Sequence, residues 1–293
     1  MGEKIMKVIY GNGSVKNAEG AEELLILRHS AAHILAQAVK RLYPSAKLGY
    51  GPSNENGFYY DVDFGDVKIS EENFHELEEE MRNIIRENLP VKPFALPREE
   101  AIGLMRERGE EYKVQHIGDL PETEEISFYR QGEYIDMCRG PHITYTKAVK
   151  AFKLIGVSGA YWKNDRSNKM LTRIYGTAFL SAEELDNWLR EREEAEKRDH
   201  RRIGREMKLF MFSEQGAGFP FFLPDGMIIK NELLEYWREI HRENGYSEIS
   251  TPVMLSRRLW EISGHEAHYK DKMYSSVIDG EDYCIKPMNC PGG

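Results

Sequence analysis

Apolar residues between Ala21 and Leu42 recur at three- and four-residue spacings, through Leu24, Leu27, Ala31, Ile34, Leu35, Ala38 and Val39, until Pro44 stops the pattern. That period predicts one long helix. Residues Gly57 to Phe64 alternate aromatic or aliphatic with polar side chains, which suits a half-buried strand. Ser70, Glu71, Glu72 and Asn73 open an acidic amphipathic helix that reaches about Asn88, ahead of Pro90, with first-turn carboxylates favoured by the helix dipole. A short strand and a helix from about Pro97 to Arg108 follow. Aromatic or β-branched runs at 126–129, 133–137, 149–155, 159–162 and 170–175 are then separated by Gly, Asn or Asp. They predict an antiparallel sheet packed with the first helices, an α+β domain over 21–180. Ahead of it, Val8-Ile9-Tyr10 is one short apolar run followed by Gly11-Asn12-Gly13-Ser14, so residues 1–20 read as a frayed strand or tail.

Ser181 with Glu184 is a capping pattern for the next helix. That helix has few apolar positions and runs through Asp199, which predicts a bridge over 181–208 between two domains. Beyond Leu209 a second unit, 209–293, begins with Gly218 to Leu223 as a buried strand and Pro224-Asp225-Gly226 as a turn. A long helix over Met227 to Asn244 ends at Gly245, and Tyr246 to Met254 resumes as a strand interrupted by Pro252.

Composition narrows this picture only slightly. Hydrophobic residues at 41% supply a packed core. No apolar run approaches the roughly 18 residues of a spanning helix, and no signal peptide is visible, so no membrane role and a cytoplasmic location are expected. Lys and Arg number 40 against 49 Asp and Glu, a net charge of −9 that does not by itself advertise a polyanion partner. Lys197, Arg198, His200, Arg201, Arg202 and Arg205 nevertheless make the bridge locally basic, as a solvated face or a phosphate contact. Three cysteines, Cys138, Cys284 and Cys290, are too few for a disulfide framework.

His29 and His33 lie four residues apart on one face of the first predicted helix, where both imidazoles can converge on one atom. Cys138 and His142 form a second pair at the same spacing, around Gly140-Pro141. Three imidazoles and a thiol make a tetrahedral zinc set or, equally, a general-base cluster around a bound water. The blander alternatives are core histidines, an ordinary buried thiol and a turn residue.

Several runs then carry a family resemblance. Arg28-His29-Ser30-Ala31-Ala32-His33, Gly51-Pro52 with Asn56-Gly57-Phe58-Tyr59-Tyr60-Asp61, and Asp136-Met137-Cys138-Arg139-Gly140-Pro141-His142 resemble the editing domain of bacterial-type threonyl-tRNA synthetases. Gly159-Ala160-Tyr161-Trp162, Asn168-Lys169-Met170-Leu171 and Arg173-Ile174-Tyr175-Gly176-Thr177-Ala178-Phe179 extend it. Lys197-Arg198-Asp199-His200-Arg201 resembles the family's linker helix. Glu248-Ile249-Ser250-Thr251-Pro252-Val253-Met254 resembles the class II first motif, and Cys284 to Gly292 a later segment of the same antiparallel-sheet catalytic domain.

The resemblance implies a threonine–tRNA ligase, with tRNA(Thr), threonine and ATP with magnesium as substrates, one zinc per catalytic domain, and a homodimer through the first motif. Cys290 resembles the first ligand of that zinc. The 293 residues lack motifs 2 and 3 and the remaining ligands, so aminoacylation is not expected of this stretch alone. For the editing part the resemblance implies hydrolysis of mischarged seryl-tRNA(Thr), which such an enzyme needs because one missing methyl discriminates serine from threonine by only about 1–3 kcal/mol. His29 and His33 would position and deprotonate water, and Cys138 and His142 would complete the pocket. Tyr60, Lys113 and Asp136 would bind the terminal adenosine, the ester region or the serine amino group. Related alanyl domains use the four-residue cluster for metal, whereas the threonyl resemblance favours bound water. Two other readings stay open: a stand-alone trans-editing hydrolase, and a non-catalytic zinc- or tRNA-binding module.

Overall fold

The long helix expected from Ala21 forms, and the residues that carry its apolar stripe sit at the centre of the first unit. In the computed structural model, residues 6–18, 20–122 and 124–293 are described, for Asp271 the backbone alone. The chain divides into two units, Met1–Lys197 and Arg198–Gly293. Ile26 through Leu27 and Ala31 to Ala36 of the helix are buried on every side, the pattern of a core helix rather than a surface one.

The first unit contains, in chain order, β1 (Lys7–Ile9), β2 (Val15–Asn17), α1 (Ala21–Leu42), β3 (Lys47–Leu48), β4 (Ser53–Asn54), β5 (Gly57–Asp63), α2 (Phe74–Glu87) and β6 (Val91–Leu96). It continues with α3 (Arg98–Glu107), α4 (Glu111–Asp119), β7 (Ile126–Gln131), β8 (Tyr134–Met137), β9 (His142–Ile143), β10 (Ala151–Tyr161), β11 (Met170–Phe179) and α5 (Ala182–Lys197). The mixture of helices with antiparallel sheet agrees with the α+β class. One sheet runs in the order β10-β11-β5-β3, with β4 also on β5, and Phe58, Tyr60 and Val62 of β5 and Ile174 of β11 are buried in the same core as α1. A second runs β6-β7-β8 over the core formed by Ala101, Met105, Ile117 and Phe128.

Three departures from the sequence pattern bear on the site. Residues 6–18 are not a tail: β1 and β2 pair as a hairpin, and β1 also pairs with β9, Ile9 opposite His142 and Val8 opposite Ile143. The segment looks frayed because each strand is three residues long and the second partner of β1, β9, lies far away in the chain. Residues 1–5 and 19 of that expected tail lie outside the described residues. Helix α4 was not anticipated, since only Tyr112 and Ile117 supply buried apolar positions. The expected strands at 149–155 and 159–162 are one strand, β10, irregular between Leu154 and Gly156.

The second unit contains α6 (His200–Glu206), β12 (Phe210–Met211), β13 (Phe221–Phe222), α7 (Pro224–Glu243), β14 (Met254–Ser256), α8 (Arg257–Ile262), α9 (His265–Tyr269), β15 (Ser275–Ile278) and β16 (Glu281–Ile285). The predicted bridge helix is interrupted: α5 ends at Lys197, and Asp199 caps α6 by accepting from the Arg201 N–H at 2.8 Å. Pro224-Asp225-Gly226 is the first turn of α7 rather than a loop, because proline suits the first helical position. Phe221 and Phe222 pair with β12 but are 45% and 43% exposed, so the strand expected to be buried is not. The strand expected over Tyr246 to Met254 is reduced to Met254–Ser256, paired with β16; Pro252 stands just before it.

The hairpin's packing gives a direct test. Val8→Ala should lower the unfolding free energy of the first unit by about 2 kcal/mol, through lost burial and an unfilled cavity. Val15→Ala, on an exposed side chain, should change it by less than about 0.5 kcal/mol. Chemical denaturation of both variants checks the pair, and equal effects would return residues 6–18 to the status of a tail.

Candidate active site

Helix α1 sets His29 and His33 one turn apart, with Ser30 beside them. Cys138 follows β8, and a turn through Gly140-Pro141 returns the chain to His142 at the start of β9. Gly140 has φ +69° and a Cβ there would fall 2.0 Å from the Tyr129 hydroxyl, so both its backbone conformation and its neighbour require glycine. The two predicted pairs come together: one ligand-type atom from each of His29, His33, Cys138 and His142 lies within 4.8 Å of the others. The His29 and His142 rings stack at 4.5 Å between centroids, and His33 lies 4.1 Å from His142.

A single direction of proton donation satisfies the contacts around the thiol. The Gly51 carbonyl can only accept, so His29 donates from Nδ1 at 3.1 Å and its Nε2 is left to accept from the Cys138 thiol at 2.9 Å. Sγ in turn accepts from the Gly140 N–H at 3.2 Å and from His142 Nε2 at 3.4 Å. That leaves His142 Nδ1 to accept from the Ser30 hydroxyl at 3.1 Å, while Ser30 Oγ accepts from the Ile143 N–H at 3.0 Å. The network therefore runs from the β9 backbone to the loop carbonyl of Gly51.

Burial decides the charge of this group. Desolvation lowers His29 and pushes His33 and His142 well below the ordinary imidazole value, with the neighbouring imidazoles adding to the effect at His33 and His142. Desolvation also pushes the Cys138 thiol up to about 12. At neutral pH the cluster is three neutral imidazoles and a protonated thiol.

Beside it lies a buried charge pair. Asp136, 3% exposed, accepts from Tyr60 at 2.5 Å and Tyr134 at 2.9 Å on Oδ2, and Lys113 Nζ stands 2.6 Å from Oδ1. His33 Nε2 is 3.5 Å from Oδ2. Both tyrosines are held well above their ordinary pKa, first by desolvation and then by the carboxylate, and so remain donors. Lys113 also reaches the Tyr60 hydroxyl at 3.2 Å. Lys113 and Asp136 line a cavity of about 300 Å³ with His29, His33 and Cys138. Tyr60 is fully buried with its hydroxyl spent on Asp136.

Three contributors had no sequence signal or a weak one. Ser30 sits inside the helical motif but reads as a spacer, Tyr134 becomes visible only once β8 places it on the same face as Asp136, and His116 stands on the unanticipated α4. Cys290 is exposed and joins no group of three or more ligand-type side chains among the described residues.

The donor set fits zinc in kind, three nitrogens and a sulfur, and the Gly51 and Ser30 contacts would orient two of the rings as outer partners orient zinc-bound imidazoles. One feature fits water better: His33 Nε2 is turned to Asp136.

Residues 126–175 match the family described as the threonyl and alanyl tRNA synthetase second additional domain. The threonine–tRNA ligase of Clostridioides difficile strain 630 is 58% identical over 278 residues, 95% of this chain and 43% of the relative. That of Acetivibrio thermocellus is 58% identical over 266 residues, 91% of this chain and 42% of its own. A crystal structure of the RNA binding domain of threonyl-tRNA synthetase from Cryptosporidium parvum Iowa II aligns at 38% identity over 32% of this chain and 24% of its own, with a TM-score of 0.32, too low to bear on the fold. The chain thus spans about two-fifths of the length of the curated relatives it matches. Over nearly all of its residues, at this level of identity, the chain is similar to threonine–tRNA ligases.

Proposed function

We propose that the first unit hydrolyses serine wrongly esterified to tRNA(Thr), as the proofreading part of a threonine–tRNA ligase. The observation that carries this is the convergence of three neutral imidazoles and a thiol at a cavity wall beside a buried Lys113–Asp136 pair. An ester substrate needs a base for water, an anchor for the amino group and a donor for the developing oxyanion. His33, with Nε2 turned to Asp136, is the base; its other nitrogen takes a proton from water as the water oxygen bonds to the ester carbonyl carbon. His29 positions that water, and the Cys138–His142–Ser30 chain holds the rings in one tautomer. Asp136 accepts from the serine ammonium, and Lys113 meets the negative charge on the carbonyl oxygen. When the carbon–oxygen bond to the ribose breaks, the proton on His33 passes to the leaving ribose oxygen, and the products are serine and the free tRNA end.

The second unit, in this reading, opens the class II catalytic domain, with α7 and the segment after it supplying the first motif of a homodimer. Cys290 would contribute one ligand to the zinc that reads threonine, and ATP with magnesium would serve the ligase reaction of the whole enzyme.

Deacylation of seryl-tRNA(Thr) tests the editing reading. His33→Ala should reduce the rate by roughly 10²- to 10⁴-fold, and equal rates for variant and unaltered chain would sink the catalytic role. Because burial holds His33 well below its ordinary value of 6.5, its basic form persists as pH falls through 6.5. The acid limb of the rate profile should therefore lie below pH 6.5, and a midpoint at or above that pH would contradict this assignment. With water rather than metal in the cluster, exhaustive treatment with a zinc chelator should leave the deacylation rate unchanged; a loss restored by added zinc would favour the metal reading.

A further inference from the structure

His116 belongs to no motif, yet it stands where two cavities meet. The cavity of about 300 Å³ that holds Lys113 and Asp136 is bordered by a second of about 400 Å³, lined in part by Leu120, Ile126, Ser127 and Arg139. His29, His116, Met137 and Cys138 line both. A substrate cleaved at this shared wall has its ester there, with its amino acid and nucleoside parts extending to either side. The part of an aminoacyl-tRNA directly attached to the ester oxygen is the terminal ribose, and an ester on one vicinal hydroxyl leaves the other free. That hydroxyl must lie beside the shared wall.

His116 is held there from behind. Its Nδ1 is 3.1 Å from the Tyr50 hydroxyl, and Tyr50 stacks on Trp162 at 4.6 Å with 17° between the rings. The Trp162 indole N–H donates to Gln115 at 2.9 Å, one residue away on α4. The adjoining residue of the same loop, Gly51, gives its carbonyl to His29 Nδ1. One loop therefore fixes both imidazoles, and the Tyr50 bond uses one ring nitrogen of His116 and leaves Nε2 for a ligand. The other side chains on the shared wall are Met137 and the two members of the thiol network, so none offers an uncommitted polar atom.

We propose that His116 is a substrate-positioning residue whose Nε2 hydrogen-bonds the free ribose hydroxyl of the terminal nucleotide. This rests on the reading of the site as an ester hydrolase for aminoacyl-tRNA. His116→Asn keeps a polar atom in the Nδ1 position for Tyr50 and removes Nε2, whereas His116→Gln places a polar atom near Nε2. In deacylation of seryl-tRNA(Thr), His116→Asn should raise KM about tenfold, the worth of one hydrogen bond, with kcat within about twofold. His116→Gln should recover most of the lost KM. Calorimetric titration with 3′-serylamido-3′-deoxyadenosine and its 2′-deoxy counterpart gives a readout free of turnover. The unaltered chain and His116→Gln should bind the 2′-hydroxyl form several-fold more tightly, and His116→Asn should bind the two alike. If His116→Asn discriminates between the two as the unaltered chain does, the proposal is wrong while the hydrolase reading stands. If the unaltered chain neither deacylates seryl-tRNA(Thr) nor binds either adenosine, both fall. Matching thermal melts for the variants assign the changes to the site rather than to folding.

Discussion

A carboxylate that is almost wholly shielded from water must have its charge met by the protein, and the first unit is organised around meeting that of Asp136. Its oxygens face an ammonium, two phenolic hydroxyls and an imidazole, contributed by four separate elements, α4, β5, β8 and α1. Removing one partner from such an arrangement typically costs about 3–5 kcal/mol, because the remaining charge stays buried. The positions of Lys113, Tyr60 and His33 are therefore tied together energetically. The neutrality of the neighbouring cluster follows from the same burial: with Lys113 already matched to Asp136, a further positive charge on the imidazoles would have little to balance it.

The helix and strand that carry the site were legible because their periods are long and regular. Twenty-two residues of α1 contain enough turns for the spacing of Leu27, Ala31, Leu35 and Ala38 to be unmistakable. Strand β5 is found where its alternation places a strand, although it lies between β11 and β3 and is buried on both faces rather than half-buried. The pairing of His29–His33 with Cys138–His142 was suggested by matching spacing, although only the sheet brings the pairs together. What remained hidden depends on partners distant in sequence. Three-residue β1 has no period to read, α4 is mostly polar, and Ser30 acquires meaning only when His142 and the Ile143 N–H arrive from more than a hundred residues away.

In the second unit hydrophobic composition does not translate into burial. Phe219, Phe221, Phe222, Ile228, Leu233 and Trp237 are all exposed, and Trp260 and Cys284 are the buried hydrophobics among the described residues of that unit. A run of phenylalanines signals apolar surface that gains by being covered, but it does not say that this stretch of chain covers it. The first unit, with more than thirty hydrophobic side chains in its largest core cluster, satisfies its own pattern internally.

The pairing of β1 with β9 has a consequence for the order of assembly. His142 lies opposite Ile9, so the edge that steadies it is contributed by chain made more than 130 residues earlier. Contacts of such sequence separation are among the last to be rewarded during folding, since the intervening loop must be ordered before they form. The ring that terminates the thiol network thus reaches its place only when the first hairpin and the returning strand have met. Hydrolysis at the proposed site would then depend on the first hairpin as well as on α1 and its sheet.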